Sequence, residues 1–213
     1  MQPTKLYESL FILYKCNRSI NQLWPVVNSH QNDSGAVKEI AVILTNNIKM
    51  ESVSFLDEFN DSFFRNIEEA YKPRMMEVRK ITAPIIKRIK KWKDLEKYRN
   101  NIVAHPWRDK GKFAIPDPHF YNIPQTWFDV AVLVHLMNYL WELTKAEFNE
   151  ELNDALLYVL KLKPPDKKST IKISDVNNDH HRMAEEVDII CKQLNKPYFL
   201  KILQYQEESK ENG

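Results

Sequence analysis

The sequence predicts an all-α protein, a multi-helix up-and-down bundle over residues 1–162 followed by a C-terminal helical extension over residues 163–213 that packs on it. Three observations carry this. Apolar residues recur at spacings of three and four from Thr4 to Leu162, the period of helices that bury one face. Strand-like character is confined to one short stretch at Ile171 and Ile173. The chain has 213 residues, 43% of them hydrophobic and only three of them glycine, which suffices for a substantial core.

The first helix runs from Thr4 to about His30 on Leu6, Leu10, Leu13, Ile20, Leu23 and Val27, with Pro25 set to kink its last turns. The polar run Ser29–Ser34 and Gly35 make a turn. Ala36, Ile40, Ile43, Leu44, Ile48, Phe55 and Phe59 mark one face of a second helix that could extend to Tyr71. Asn46 and Asn47 within it could reach a buried partner, although asparagines are ordinarily exposed. A third helix spans Pro73 to Trp92 on Met75, Val78, Ile81, Ile85 and Ile89, with Pro84 as a kink or break. Asp94 suits the N-cap of a short helix carrying Leu95, Tyr98, Arg99, Ile102 and Val103.

Residues 106–125 then form a Pro-rich, aromatic loop expected to cover the site, in which His119 is a possible second site histidine. Thr126 can cap a helix striped by Trp127, Val130, Ala131, Val134, Met137 and Trp141, with His135 and Asn138 at the core edge. A further helical pattern runs from Lys145 to Leu162 and ends at Pro164-Pro165. Beyond it lie the short strand, a helix around Met183–Leu194, and a tail after Gln204 expected to be disordered.

Composition removes several function classes. With glycine only at positions 35, 111 and 213, neither a Gly-rich phosphate loop nor a dinucleotide-binding turn can be assembled. Cys16 and Cys191 lie far apart and neither has a second cysteine at metal-ligand spacing, so no metal or cofactor is expected and a reducing cytoplasm is the natural home. No apolar run has the length of a signal peptide core or membrane span, because the most hydrophobic helix is interrupted by Asp129, His135, Asn138 and Glu142. Asp179-His180-His181 resembles a phosphoesterase signature, but that chemistry needs an α/β fold whose strand patterns are missing.

Charge is unevenly distributed. Residues 72–112 hold 14 Lys/Arg against four acids, a local balance of +10 within a chain whose net charge is +2. Such a region suits a phosphate backbone. It is equally what a solvated helix face looks like, since Lys87, Arg88, Lys90, Lys91 and Lys93 alternate with Ile85, Ile86, Ile89 and Trp92.

Within this region Lys97-Tyr-Arg-Asn-Asn-Ile-Val-Ala-His105-Pro-Trp-Arg108 places an arginine, an amide and an imidazole within seven residues. Arginine offers a fixed fork of donors to a phosphate, and histidine can give or take a proton near neutral pH. On an ideal helix, positions 99 and 105 would stand about nine Å apart along the axis and about 120° apart around it. Pro106 disfavours helix at His105, so the imidazole can swing back toward Arg99 and Asn100. Composition alone gives about 0.7 arginines followed at four to six residues by histidine, and about 0.06 once asparagine must follow the arginine. The plain alternative is a surface arginine and a histidine that caps a helix C-terminus.

Arg99-Asn100-Asn101-Ile102-Val103-Ala104-His105 resembles the Arg-polar-x-His signature of HEPN (higher eukaryotes and prokaryotes nucleotide-binding) domains. That family is all-helical, usually dimeric and rich in metal-independent ribonucleases. The resemblance implies Arg99 on the scissile phosphate, Asn100 as the polar orienter and His105 as the acid/base group. One subgroup carries a modifiable tyrosine two residues after the histidine, where this chain has Trp107.

The sequence therefore points to an endoribonuclease that cuts single-stranded RNA by 2′-hydroxyl attack, with Lys87, Lys90, Lys91, Lys97, Trp107 and Arg108 as candidate RNA-binding residues. The resemblance adds a homodimer, a toxin or antiviral role and a possible antitoxin partner. The alternative is a non-catalytic HEPN-like dimer that binds nucleotide, RNA or a protein.

Overall fold

Helical periodicity over residues 4–162 becomes helices. The computed structural model describes residues 4–63, 66–100, 108–109, 112–113 and 118–162, together with Arg182, Ile189 and Gln193. The chain divides into two compact units, Met1–Leu162 and Lys163–Gly213. In the second unit Arg182, Ile189 and Gln193 are helical, and the expected strand at Ile171 and the tail lie outside the described residues.

The first unit is an all-α bundle. Its α-helices among the described residues are α1 (Lys5–Ser29), α2 (Ala36–Asp57), α3 (Lys72–Ile89), α4 (Leu95–Tyr98), α5 (Trp127–Glu147) and α6 (Asn149–Lys161). Helix α1 packs against α2, α5 and α6, and α3 packs against α5. A two-residue antiparallel pair, Arg108–Asp109 with Lys112–Phe113, lies in the stretch read from sequence as loop.

The start of α1 is satisfied twice over. Thr4 Oγ1 accepts from Tyr7 N–H at 3.2 Å, and the Glu68 carboxylate accepts from the backbone N–H of Lys5 and Leu6 at 2.8 and 3.4 Å. Both devices place negative charge or lone pairs where helix N–H groups have no partner of their own. Leu6, Leu10, Leu13, Ile20 and Val27 are buried, as the spacing requires. Pro25 lies inside the helix, which continues to Ser29.

The second helix is shorter than its periodicity suggests. It ends at Asp57 and passes into a π-helical turn, Glu58–Ser62, before the chain bends at Asn66-Ile67. An i,i+4 row drifts around an α-helix, and the wider π turn counters the drift. Phe55, Phe59 and Phe63 consequently stay on one buried ladder, with ring centroids 6.1 and 5.9 Å apart. Toward the other end of α2, Ile40 and Ile43 are exposed although they lie on the apolar stripe.

Helix α3 runs through Pro84 without breaking. Met75, Val78 and Ile89 are buried as the spacing requires, but Thr82, whose hydroxyl donates to Val78 O at 2.7 Å, takes the buried place expected of Ile81, which is exposed. Arg74 joins α3 to the α5–α6 junction. It donates to Glu147 at 2.7 Å and to Glu151, and its guanidinium lies 4.6 Å from the Phe148 ring. Phe148 in turn meets Phe63 edge-on at 5.6 Å.

Thr126 caps α5 as the sequence predicts, in a reciprocal box with Asp129. Burial pushes the Asp129 carboxyl up, but hydrogen bonds from Thr126 and Gln125 outweigh it and hold the group below its ordinary range. Asn138 exchanges two hydrogen bonds with Asn21 of α1, at 2.7 and 3.1 Å, and His135 is exposed.

Among the described residues one charged side chain is buried. Lys49 of α2 is only 5% exposed. Burial lowers its pKa from 10.5 to about 8, against a smaller opposing effect of Asp129. Below about pH 8 the ammonium is charged in the folded and unfolded chain alike, and its burial costs stability. As pH rises from 8 toward 10.5 the folded chain sheds the proton first, so stability rises. Lys49→Met should therefore raise the unfolding free energy at pH 7 by up to about 3 kcal/mol, and the gain should shrink by pH 10. Urea unfolding at the two pH values checks this, and a pH-independent loss of stability would contradict it.

Candidate functional site

The short helix α4 leads directly into Arg99 and Asn100, the first two residues of the motif, and its position is set by residues distant in sequence. Leu95 and Tyr98 are buried beneath it. Asp94 occupies the N-cap position, but its side chain makes no cap; instead its Oδ2 accepts from Asn122 N–H at 2.8 Å, while Asp94 N–H donates to Asn122 O at 3.1 Å. The cap expected from sequence is therefore a clamp on the 118–125 segment. Tyr98 meets Tyr121 edge-on at 5.3 Å, and its hydroxyl donates to Asn46 Oδ1 at 3.3 Å, so Asn46 does reach a buried partner. Burial raises the Tyr98 pKa.

Arg99 follows directly, at the start of a π-type turn with Asn100. Its side chain is 21% exposed, and Nη1 donates to Asp57 Oδ2 at 2.6 Å at the end of α2. Nε donates to Asn100 Oδ1 at 2.9 Å. Of the five N–H donors an arginine owns, the remaining three make no hydrogen bond among the described residues. A guanidinium fixed along one side by a carboxylate and an amide keeps its orientation and can still grip a phosphate with the rest. The same carboxylate competes with a phosphate for that charge. Asp57 is a residue the sequence reading missed, because nothing local distinguishes it from other carboxylates such as the adjacent Glu58.

The candidate lysines separate into groups. Lys90, with Lys93 and Glu96, lines a cleft of about 190 Å³ whose wall includes Asp57. Lys87 and Lys90, with Arg79, line a neighbouring cleft of about 300 Å³, and Asn60 and Lys90 belong to both. Lys91 is exposed and lines neither. Lys97 is exposed on α4, with its ammonium 5.9 Å from the Tyr121 ring centroid. The structure thus places Lys90 in the cleft that Asp57 also lines, puts Lys87 in the neighbouring cleft, and sets Lys91 and Lys97 apart from both.

His105 and Trp107 lie outside the described residues, as does the Arg108 side chain, whose backbone forms the strand pair. Of the loop aromatics, Tyr121 is buried and Phe120 exposed. His119 is exposed, with Nδ1 3.0 Å from Gln125 Oε1, and lines a cavity beside α1 and α2. Among the described residues no cluster of three His, Cys, Asp or Glu could hold a metal ion, and no helix is long and apolar enough to cross a membrane. Cys16 is buried, and burial pushes its thiol up to about 12.

No protein-family model, curated protein or solved structure matches the chain. The resemblance to HEPN domains accordingly stands on residues 99–105 and the helical pattern around them.

The Asp94 clamp gives a direct check on how the motif is held. Asp94→Ala leaves the Asn122 N–H without its acceptor and should cost about 1 kcal/mol of unfolding free energy. Asp94→Asn, which keeps an acceptor, should cost less. Equal losses in chemical denaturation would show that the hydrogen bond is not what matters.

Proposed function

We propose that this chain is a metal-independent endoribonuclease of HEPN type that cuts single-stranded RNA. The observation that carries the reading is Arg99, a partly buried guanidinium oriented by Asp57 and Asn100 whose other three donors make no hydrogen bond among the described residues, with Asp57 on the wall of a cleft that Lys90 and Lys93 also line. In the reaction, a base takes the proton of a 2′-hydroxyl, the oxygen attacks the adjacent phosphorus, and the 5′-oxygen leaves with a proton from an acid. Arg99 stabilises charge on the phosphoryl oxygens, and Asn100 holds its geometry. His105 supplies one proton transfer. A second copy of the motif in a homodimer supplies the other.

Dimerisation is supported by exposed apolar side chains on two helices among the described residues. Ile40 and Ile43 of α2 are 54% and 59% exposed, and Phe128, Val132 and Tyr139 of α5 are 73%, 50% and 63% exposed. Such patches mark interaction surfaces more often than idle solvent-facing ones. A toxin or antiviral role, held in check by an antitoxin protein in the cytoplasm, is the setting the family resemblance suggests.

The Arg99–Asp57 ion pair favours a second reading, in which the same dimer binds RNA, a nucleotide or a protein and cleaves nothing. Here the guanidinium is satisfied by the carboxylate and the lysines alone hold phosphate.

Cleavage and binding measured together in EDTA at two salt concentrations separate the readings. His105→Ala should lose cleavage by on the order of a hundredfold or more with RNA affinity nearly unchanged, and Arg99→Ala should impair both. Undiminished cleavage by His105→Ala would end the assignment at this motif. Lys87→Ala combined with Lys90→Ala should weaken RNA binding and flatten its salt dependence, because fewer counterions are released. Asp57→Asn removes a competing negative charge and should raise RNA affinity. Intact RNA binding with no cleavage by the wild type would favour the binding module.

A further inference from the structure

A separate cavity, about 270 Å³ in volume, opens among the end of α1, the first half of α2 and the 118–130 segment. Val27, Ala41, Val42, Pro118, Trp127 and Val130 give it apolar walls. Its charged lining groups are basic or imidazole: Lys38, Lys49, His30 and His119, with no carboxylate among the lining residues.

Lys49 is the unusual member. It is 95% buried, and among the described residues its ammonium has neither a hydrogen-bond acceptor nor a carboxylate within ion-pair distance. Its nearest described partner is the Tyr98 ring, 5.4 Å from the nitrogen. Asp129 acts on it only at longer range, because that carboxylate is engaged by Thr126 and Gln125 at the start of α5. Two other donors border the same space. Asn46 uses its carbonyl oxygen for the Tyr98 hydroxyl, which leaves its amide N–H groups to donate. The Trp127 indole N–H is buried with no acceptor among the described residues.

A largely buried lysine whose ammonium faces a cavity and has no acceptor among the described residues is costly, and packing alone would favour an apolar side chain of the same length. Cavities of this kind, apolar with a few polar groups, are what small-molecule sites look like. We propose that this cavity binds a small monocarboxylate with an apolar or aromatic body, its carboxylate accepting from Lys49 and Asn46 and its body lying against Trp127 and Val130. The missing element in the cavity is an acceptor, which a carboxylate supplies and a neutral apolar molecule does not. One buried ammonium matches one negative charge. A phosphate dianion would leave a second charge uncompensated in the apolar part of the cavity. His30 is already paired with Asp33 at 2.7 Å, and Lys38 is exposed at the rim. The site is distinct from the two clefts lined by Lys90, with which it shares no lining residue.

Titration of the full-length chain with benzoate, benzamide and inorganic phosphate at pH 7, followed by calorimetry and amide NMR shifts, tests the assignment. Benzoate should bind saturably, at least tenfold tighter than benzamide or phosphate, with shifts centred on Asn46, Lys49 and Trp127. Lys49→Met, which should fold at least as well as the wild type, should weaken benzoate at least tenfold and leave benzamide unchanged. Val42→Trp, which fills the cavity from the rim, should weaken benzoate while retaining Lys49. Equal binding of benzoate and benzamide, tighter binding of phosphate, unchanged binding in Lys49→Met or an absence of saturable benzoate binding would each overturn the proposal.

Discussion

Burial of Tyr98 is the constraint on which the rest of this bundle depends. A four-residue helix has no stability of its own, since nucleation is unfavourable and no run of hydrogen bonds repays it. What holds α4 is the Tyr98 ring, 2% exposed, meeting Tyr121 from the following segment and Asn46 and Lys49 from α2. The next residue in the chain is Arg99. A side chain locked into the core thus sets the direction from which the guanidinium reaches Asp57, and the Asp94–Asn122 exchange closes the same arrangement from the other end of α4.

Electrostatics in the bundle follow a consistent pattern in which charges that matter are held by groups distant in sequence. Arg74 is held by Glu147 and Glu151, whose hydrogen bonds raise its pKa further, and it fastens α3 to the α5–α6 junction. Arg99 is held by Asp57, 42 residues earlier. Lys49 breaks the pattern, being buried with an aromatic ring instead of a carboxylate. This contrast sets the Lys49 cavity apart from the structural ion pairs.

Much of the fold was legible in the sequence because its determinants are local. The buried row Leu6, Leu10, Leu13, Ile20 and the Thr126 capping box each need only residues within one helix. The errors arose where tertiary partners decide. Ile40, Ile43 and Ile81 have the spacing of core residues and face outward, while Thr82 and Lys49 are buried, since periodicity reports a face and not what covers it. Asp94 has the chemistry of a cap, but its acceptor serves Asn122, 28 residues away. In the candidate site the sequence supplied Arg99 and Asn100 as neighbours; it could not supply Asp57, nor divide Lys87 and Lys90 from Lys91 and Lys97, because those relations exist only across helices.

In the proposed reaction a guanidinium held in this way assists attack by a 2′-hydroxyl. The ends left on a short single-stranded RNA after incubation with the wild-type chain in EDTA test it most directly. The account predicts 2′,3′-cyclic phosphate and 5′-hydroxyl termini, which arise when the neighbouring oxygen is the nucleophile. Ends bearing a 3′-hydroxyl and a 5′-phosphate, the signature of attack by water, or RNA left intact, would contradict it.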